Sequence, residues 1–152
     1  MNPLNPADWY QSVVEWMAYA GIDKGGKVNV DDAVRGVKGA VAPTRDAVKE
    51  VLETLLSDGF LSRDGSNFKL TDEGERNLYP GTDVDLVEDV IADIKNYVNQ
   101  QASSKFDYDN YKTQIIKRLN PRQARMVAPV IQVLVNEGYW KLTGRRSYTV
   151  IG

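Results

Sequence analysis

The sequence predicts an α+β fold, mainly helical with small β-hairpins, in which two tandem copies of one unit each hold three helices and a hairpin. Three observations carry this. The stretch from Lys27 to Leu70 can be laid over that from Lys105 to Val150; apolar residues recur at helical spacing in both copies; and each copy closes on two aromatic and β-branched runs around a turn. Pro80-Gly81 reads as the linker, so the expected domains are residues 1–80 and 81–152.

In the overlay Lys27 meets Lys105, Gly59 meets Gly138 and Phe68 meets Tyr148, and two one-residue insertions in loops absorb the drift. An amphipathic helix precedes each copy, roughly Asp8 to Ala20 and Val84 to Gln100. A short helix follows, Val30 to Lys38 and Tyr108 to Leu119. Pro43 and Pro121 then stand at the opening of the next helix, where a missing N–H costs nothing, and Asn120 is a natural N-cap. That helix ends at Gly59 or Gly138, each suited to a left-handed stop. Its core stripe is Val48, Val51, Leu52, Leu55 and Leu56 in the first copy and Val127, Val130, Ile131, Leu134 and Val135 in the second. The hairpins are FLSR and NFKL around Asp64-Gly65-Ser66, and YWKL and SYTV around Thr143-Gly144-Arg145.

Composition removes whole classes of function. The 152 residues contain no Cys and no His, which excludes disulfides, thiolate metal sites, imidazole ligands and the commonest general base. No glycine-rich loop of phosphate-binding spacing occurs, because Gly25-Gly26 and Gly36 to Gly39 do not follow an apolar strand. No enzyme, cofactor or metal is expected. With no leader-like N-terminus and no membrane-length apolar run, the expected location is cytoplasmic.

Helix, helix, turn, helix and hairpin is an order that resembles the winged-helix group of helix-turn-helix proteins. The run LLSDGFLSRDGSNFKLTDEG is similar to the ending of bacterial regulators of that group, with Asp58-Gly59 leading into a strand, a polar wing tip and Leu70-Thr71 before Gly74. The resemblance implies two tandem winged-helix domains whose third helix enters a DNA major groove while the wing touches the backbone. The same fold serves as a protein-protein module in ESCRT-II subunits and chromosome-condensation accessory proteins, so the surfaces must distinguish the two uses.

Those surfaces differ in charge. Lys and Arg number 19 and Asp and Glu 21, for a net charge of -2, yet residues 105–152 hold nine bases against three acids while residues 1–80 hold nine against thirteen. The outward face of the first copy's third helix carries Asp46, Lys49, Glu50 and Glu53, which repels phosphate. The equivalent helix of the second copy presents Arg125, Pro129 and Gln132, with Arg122 a turn earlier. Arg and Gln can read guanine and adenine edges. Lys117 and Arg118 before the turn, Lys141 on the hairpin, and Arg145 and Arg146 at its tip are candidate phosphate contacts. Pro129 predicts a bent or late-starting helix.

The first reading is therefore a duplex-DNA-binding regulator or replication or partition factor. The alternative is an adaptor that binds a protein partner through its acidic N-terminal domain. Trp9, Val13, Trp16 and Ala20 line one stripe of the first helix and Tyr10, Val14 and Met17 extend it sideways, wider than one small core needs; this fits either ordinary packing of that helix with cover from the second domain or a homodimer interface through Trp9, Tyr10, Val13, Trp16 and Met17. Asp85, Glu88, Asp89 and Asp93 lie early in a helix, where acids favour the dipole, and read as a solvated face; Asp31-Asp32 and Asp107 with Asp109 read as helix-start residues. Under the DNA reading, affinity for a mixed-sequence duplex falls steeply with salt. Replacing both Arg145 and Arg146 by Ala lowers the slope of log K against log salt by up to about two units in a titration series. An unchanged slope excludes a phosphate role for that tip.

Overall fold

The computed structural model describes residues 1–100, 105–115, 118–144 and 147–150. Among these the protein is α+β, with seven α-helices and two three-stranded antiparallel sheets. Its contacts divide it into two units, Met1–Pro80 and Gly81–Gly152. No helix of the described residues is long and apolar enough to cross a membrane.

The first unit opens with a 3-10 turn, Pro6–Asp8, capped by the Asn5 side chain, and then α1, Tyr10–Tyr19. Strand β1 is Lys27–Val28, α2 is Val30–Gly36 and α3 is Arg45–Ser57. Asn29 and Thr44 start the two helices, their side-chain oxygens accepting the Asp32 and Ala47 N–H groups at 2.8 and 3.2 Å. Thr44 is thus the N-cap, and Pro43 lies just outside α3 rather than opening it. β2, Leu61–Asp64, and β3, Asn67–Leu70, turn at Gly65 with φ of 62°. After them comes α4, Asp72–Leu78, capped by Thr71.

The second unit repeats the order with α5, Asp83–Asn99; β4, Lys105–Asp107; α6, Tyr108–Ile115; α7, Pro121–Asn136; β5, Trp140–Gly144; and β6, Ser147–Val150. Asn120 caps α7 in a reciprocal capping box with Gln123, and Pro121 occupies its first turn. Pro129 is accommodated inside α7, which neither starts late nor breaks.

Two features exceed the sequence expectation. Each hairpin is part of a three-stranded sheet, in the orders β1-β3-β2 and β4-β6-β5, because a short strand before the second helix adds to its edge. Val28 faces Phe68 and Phe106 faces Tyr148, so an apolar pair joins the added strand in each unit. A strand of two or three residues is too short to show a period of two. The second feature is α4, in a stretch whose Pro80-Gly81 end reads as a linker. Its TDEGERNL is polar and carries an internal glycine, which hides its helical character.

The cores share one geometry. Trp9 at the start of α1, with Val13 and Met17 on it, and Leu86, Val90 and Ile94 on α5 are buried at four-residue spacing. Facing them are Val48, Val51, Leu52 and Leu55 on α3 and Val127, Val130 and Ile131 on α7, with Leu56, Leu134 and Val135 half-buried at the margin. The second core is aromatic: Phe106 lies 4.7 Å from Trp140 and 5.1 Å from Tyr111, ring centre to centre, and Tyr97 meets Tyr111 edge-on at 5.2 Å. Trp9, Val13 and Met17 are enclosed within the first unit's own core, so these three members of the predicted interface stripe present no surface to a partner; Tyr10 and Trp16 are half-buried around it.

Gly74 sets how closely α4 lies on the unit. A Cβ there would stand 2.1 Å from the Phe60 carbonyl oxygen, whereas one at Gly65 would meet nothing within 4 Å. Gly74→Ala is expected to cost about 1–3 kcal/mol through overpacking. Gly65→Ala, strained only by its positive φ, costs about 1 kcal/mol. Thermal unfolding followed by circular dichroism compares them, and equal losses would refute the close approach.

Candidate nucleic-acid interface

The outward face of α7 is composed of Arg125, Ala128, Pro129, Gln132, Val133 and Asn136, all exposed. It follows from the core: once Val127, Val130 and Ile131 turn inward, a 3.6-residue period turns these out. No Asp or Glu occurs in Pro121–Asn136. Gln132 donates to the Asn136 side chain at 2.9 Å, which orients its amide along the helix. Beside this face a recess of about 340 Å³ is lined by Tyr108, Lys112, Ala128, Ile131, Gln132 and Tyr148. Lys112 is exposed on α6, so it adds a cation that charge counting in the sequence includes but cannot place.

In the first unit Asp46, Lys49 and Glu50 are exposed on the corresponding face of α3 and Glu53 is half-buried. Both Glu53 oxygens accept from Arg63 of β2 at 2.7 Å. Arg63 also lies over the Phe68 ring at 5.4 Å. The one cation of β2 is thereby tied to its own unit.

The predicted DNA-facing residues are not one patch. Arg125, Gln132 and Lys141 are exposed. Arg122 is only 8% exposed: its guanidinium donates to the Gly81 carbonyl at 3.0 Å and lies 3.7 Å from Asp83. It fastens the start of α7 to the start of α5 instead of facing outward. A residue in the first turn after a capping box points back along the helix, which a helical wheel drawn on α7 alone does not reveal. Lys117, Arg145 and Arg146 lie outside the described residues.

Arg118 is held by Asp93. Its Nε and Nη2 donate to the two carboxylate oxygens at 3.0 and 3.1 Å, its guanidinium stands 5.7 Å from the Tyr111 ring centre, and Tyr111 donates its hydroxyl to Asp93 at 2.6 Å. Burial pushes the Asp93 carboxyl upward, but the hydrogen bonds from Arg118 and Tyr111 together outweigh it and hold Asp93 below its ordinary value. Burial and the neighbouring carboxylate push the Tyr111 hydroxyl far up, so it stays a proton donor. The acidic edge of α5 is therefore more than a solvated face: Asp93 binds Arg118 and Tyr111, Asp89 accepts from Gln123 at 3.2 Å, and Asp85 completes a capping box with Thr82. Asp107 likewise starts α6, accepting the Asp109 N–H at 2.9 Å.

Among the described residues no group of three Asp, Glu, His or Cys side chains is arranged to hold a metal ion. Comparison with known proteins adds no relative: no protein-family model, no curated protein and no solved structure matches the chain.

Asp93→Asn removes a charge-assisted pair and is expected to destabilise the second unit by about 1.5–3 kcal/mol. With its folded pKa depressed, Asp93 contributes stability above the unfolded carboxylate value of about 3.9, and this is lost as pH falls through the lower folded value. Urea melts of both proteins from pH 7 to pH 2 should therefore converge at the acid end. Curves that stay parallel would show that the ionised Asp93 carboxylate contributes nothing to stability.

Proposed function

We propose that the protein binds duplex DNA through the second unit, with α7 entering the major groove and the β5–β6 hairpin lying along the backbone. The observation that carries this reading is the acid-free outward face of α7, with Arg125 and Gln132 exposed at helical spacing. Each unit has the order helix, strand, helix, helix, strand, strand, and each sheet places the first strand beside the last. That order resembles tandem winged helices and supports the geometry of docking. The first unit, with Asp46, Glu50 and Glu53 on the equivalent face, is not the DNA-contacting one.

The contacts divide by chemistry. Arg125 and Gln132 can present two donors, or a donor and an acceptor, to base edges, and are the residues for sequence readout. Lys112 and Lys141 are point charges on flexible stems and are suited to phosphate. Arg118 and Arg122 support the surface from behind, by fixing α5, α6 and α7 to one another.

A second reading, a protein adaptor working through the acidic α3 face, is favoured by the internal engagement of Arg118, Arg122 and Arg63, which leaves less positive surface than the sequence count suggests. Binding to a random-sequence library followed by selection separates the two. Lys141→Ala is expected to weaken binding to all duplexes alike and to lower the salt slope by about one unit. Arg125→Ala should cost about 1–3 kcal/mol on the selected site and far less on unrelated sequence. No retention of any duplex at low salt would overturn the DNA reading in favour of the adaptor.

A further inference from the structure

The outward face of α7 is polar at its ends and apolar in its middle. Arg125 stands at one end and Gln132 with Asn136 at the other, and Ala128, Pro129 and Val133 form a strip between and beside them, with Val133 53% exposed. The fold does not require this strip. Val127, Val130 and Ile131 match Val48, Val51 and Leu52 of the first unit, which sets Ala128, Pro129 and Val133 where that unit has Lys49, Glu50 and Thr54, polar and exposed on an equivalent helix. Pro129 also gives up a backbone hydrogen bond to stand there.

The chemistry of the strip limits what it can touch. Its side chains are short, none can make a hydrogen bond, and none is the Trp, Tyr or Arg anchor on which protein interfaces concentrate their energy. Ala128 and Gln132 form one lip of the recess lined by Tyr108, Lys112 and Tyr148, which opens that flank of the strip. A low apolar surface framed by a guanidinium and an amide fits the one apolar group that a major groove displays, the C5-methyl of thymine.

We infer that Ala128, Pro129 and Val133 determine specificity by reading thymine methyl groups, so that the target holds A·T pairs between a G·C pair met by Arg125 and an A·T pair met by Gln132. The inference rests on the DNA reading above. Gln132 gives one amide hydrogen to Asn136 at 2.9 Å and keeps its amide oxygen and a second N–H, the acceptor and donor that the N6 and N7 edge of adenine needs. Arg125 and Gln132 are seven residues apart, about 10 Å along the helix axis. That length covers about three base-pair steps, which leaves about two pairs for the strip.

The experiment starts from the duplex that the full protein selects out of a random library. Each thymine of that site is replaced in turn by uracil, which removes the methyl and leaves every hydrogen-bonding group in place. Between the two pairs whose identity ceases to matter in Arg125→Ala and in Gln132→Ala, each replacement is expected to weaken binding about fourfold, the worth of one buried methyl. That penalty shrinks in Ala128→Ser or Val133→Thr, whose positions are exposed, so thermal melts should match the parent protein. Uracil without effect at every position, a selected site with G·C at the intervening pairs, or a penalty undiminished in both variants would overturn this inference and leave the DNA reading standing. Failure to retain any duplex would overturn both.

Discussion

In both units residues four apart on or at the start of the first helix join one core with the third helix: Trp9, Val13 and Met17 with α3, and Val90 and Ile94 with α7. A unit of this size buries little apolar surface, so each such contact counts. The rest of the architecture follows from satisfying that contact. The third helix has to present Val48 and Val51, or Val127 and Val130, inward; its opposite side is then committed to solvent, and the hairpin that leaves its left-handed glycine must return across the same core. The added strand β1 or β4 closes the edge by setting Val28 or Phe106 on it.

On this common frame the units diverge through charge. Acids occupy the outward face of α3 and are absent from α7, so the equivalent faces of the two units differ in charge. The acids of the second unit are instead gathered on α5, where Asp93 and Asp83 hold Arg118 and Arg122. These pairs join helices that are distant in sequence. They tie together a small unit whose core is rich in aromatic contacts.

The differences between sequence and structure come from particular elements. The two third helices and both hairpins are legible because each runs long enough, or turns sharply enough, for periodicity and glycine to mark it. β1 and β4 are too short to carry a period, and α4 has a polar composition that resembles a linker. In the candidate site, Arg125 and Gln132 are placed outward by the helical wheel alone, whereas Arg122 turns back to Gly81 and Lys112 joins the recess only once α6 has packed.

The sequence by itself determined the repeat, the inward stripes, the capping residues and the uneven distribution of charge, since each depends on neighbours within a few positions along the chain. The tertiary structure alone decided which charged side chains remain on the surface and that Trp9, Val13 and Met17 belong to one core. Those outcomes depend on contacts between residues far apart in sequence. A guanidinium goes to whichever carboxylate or carbonyl the packing of three helices brings within reach, and no local pattern encodes that choice.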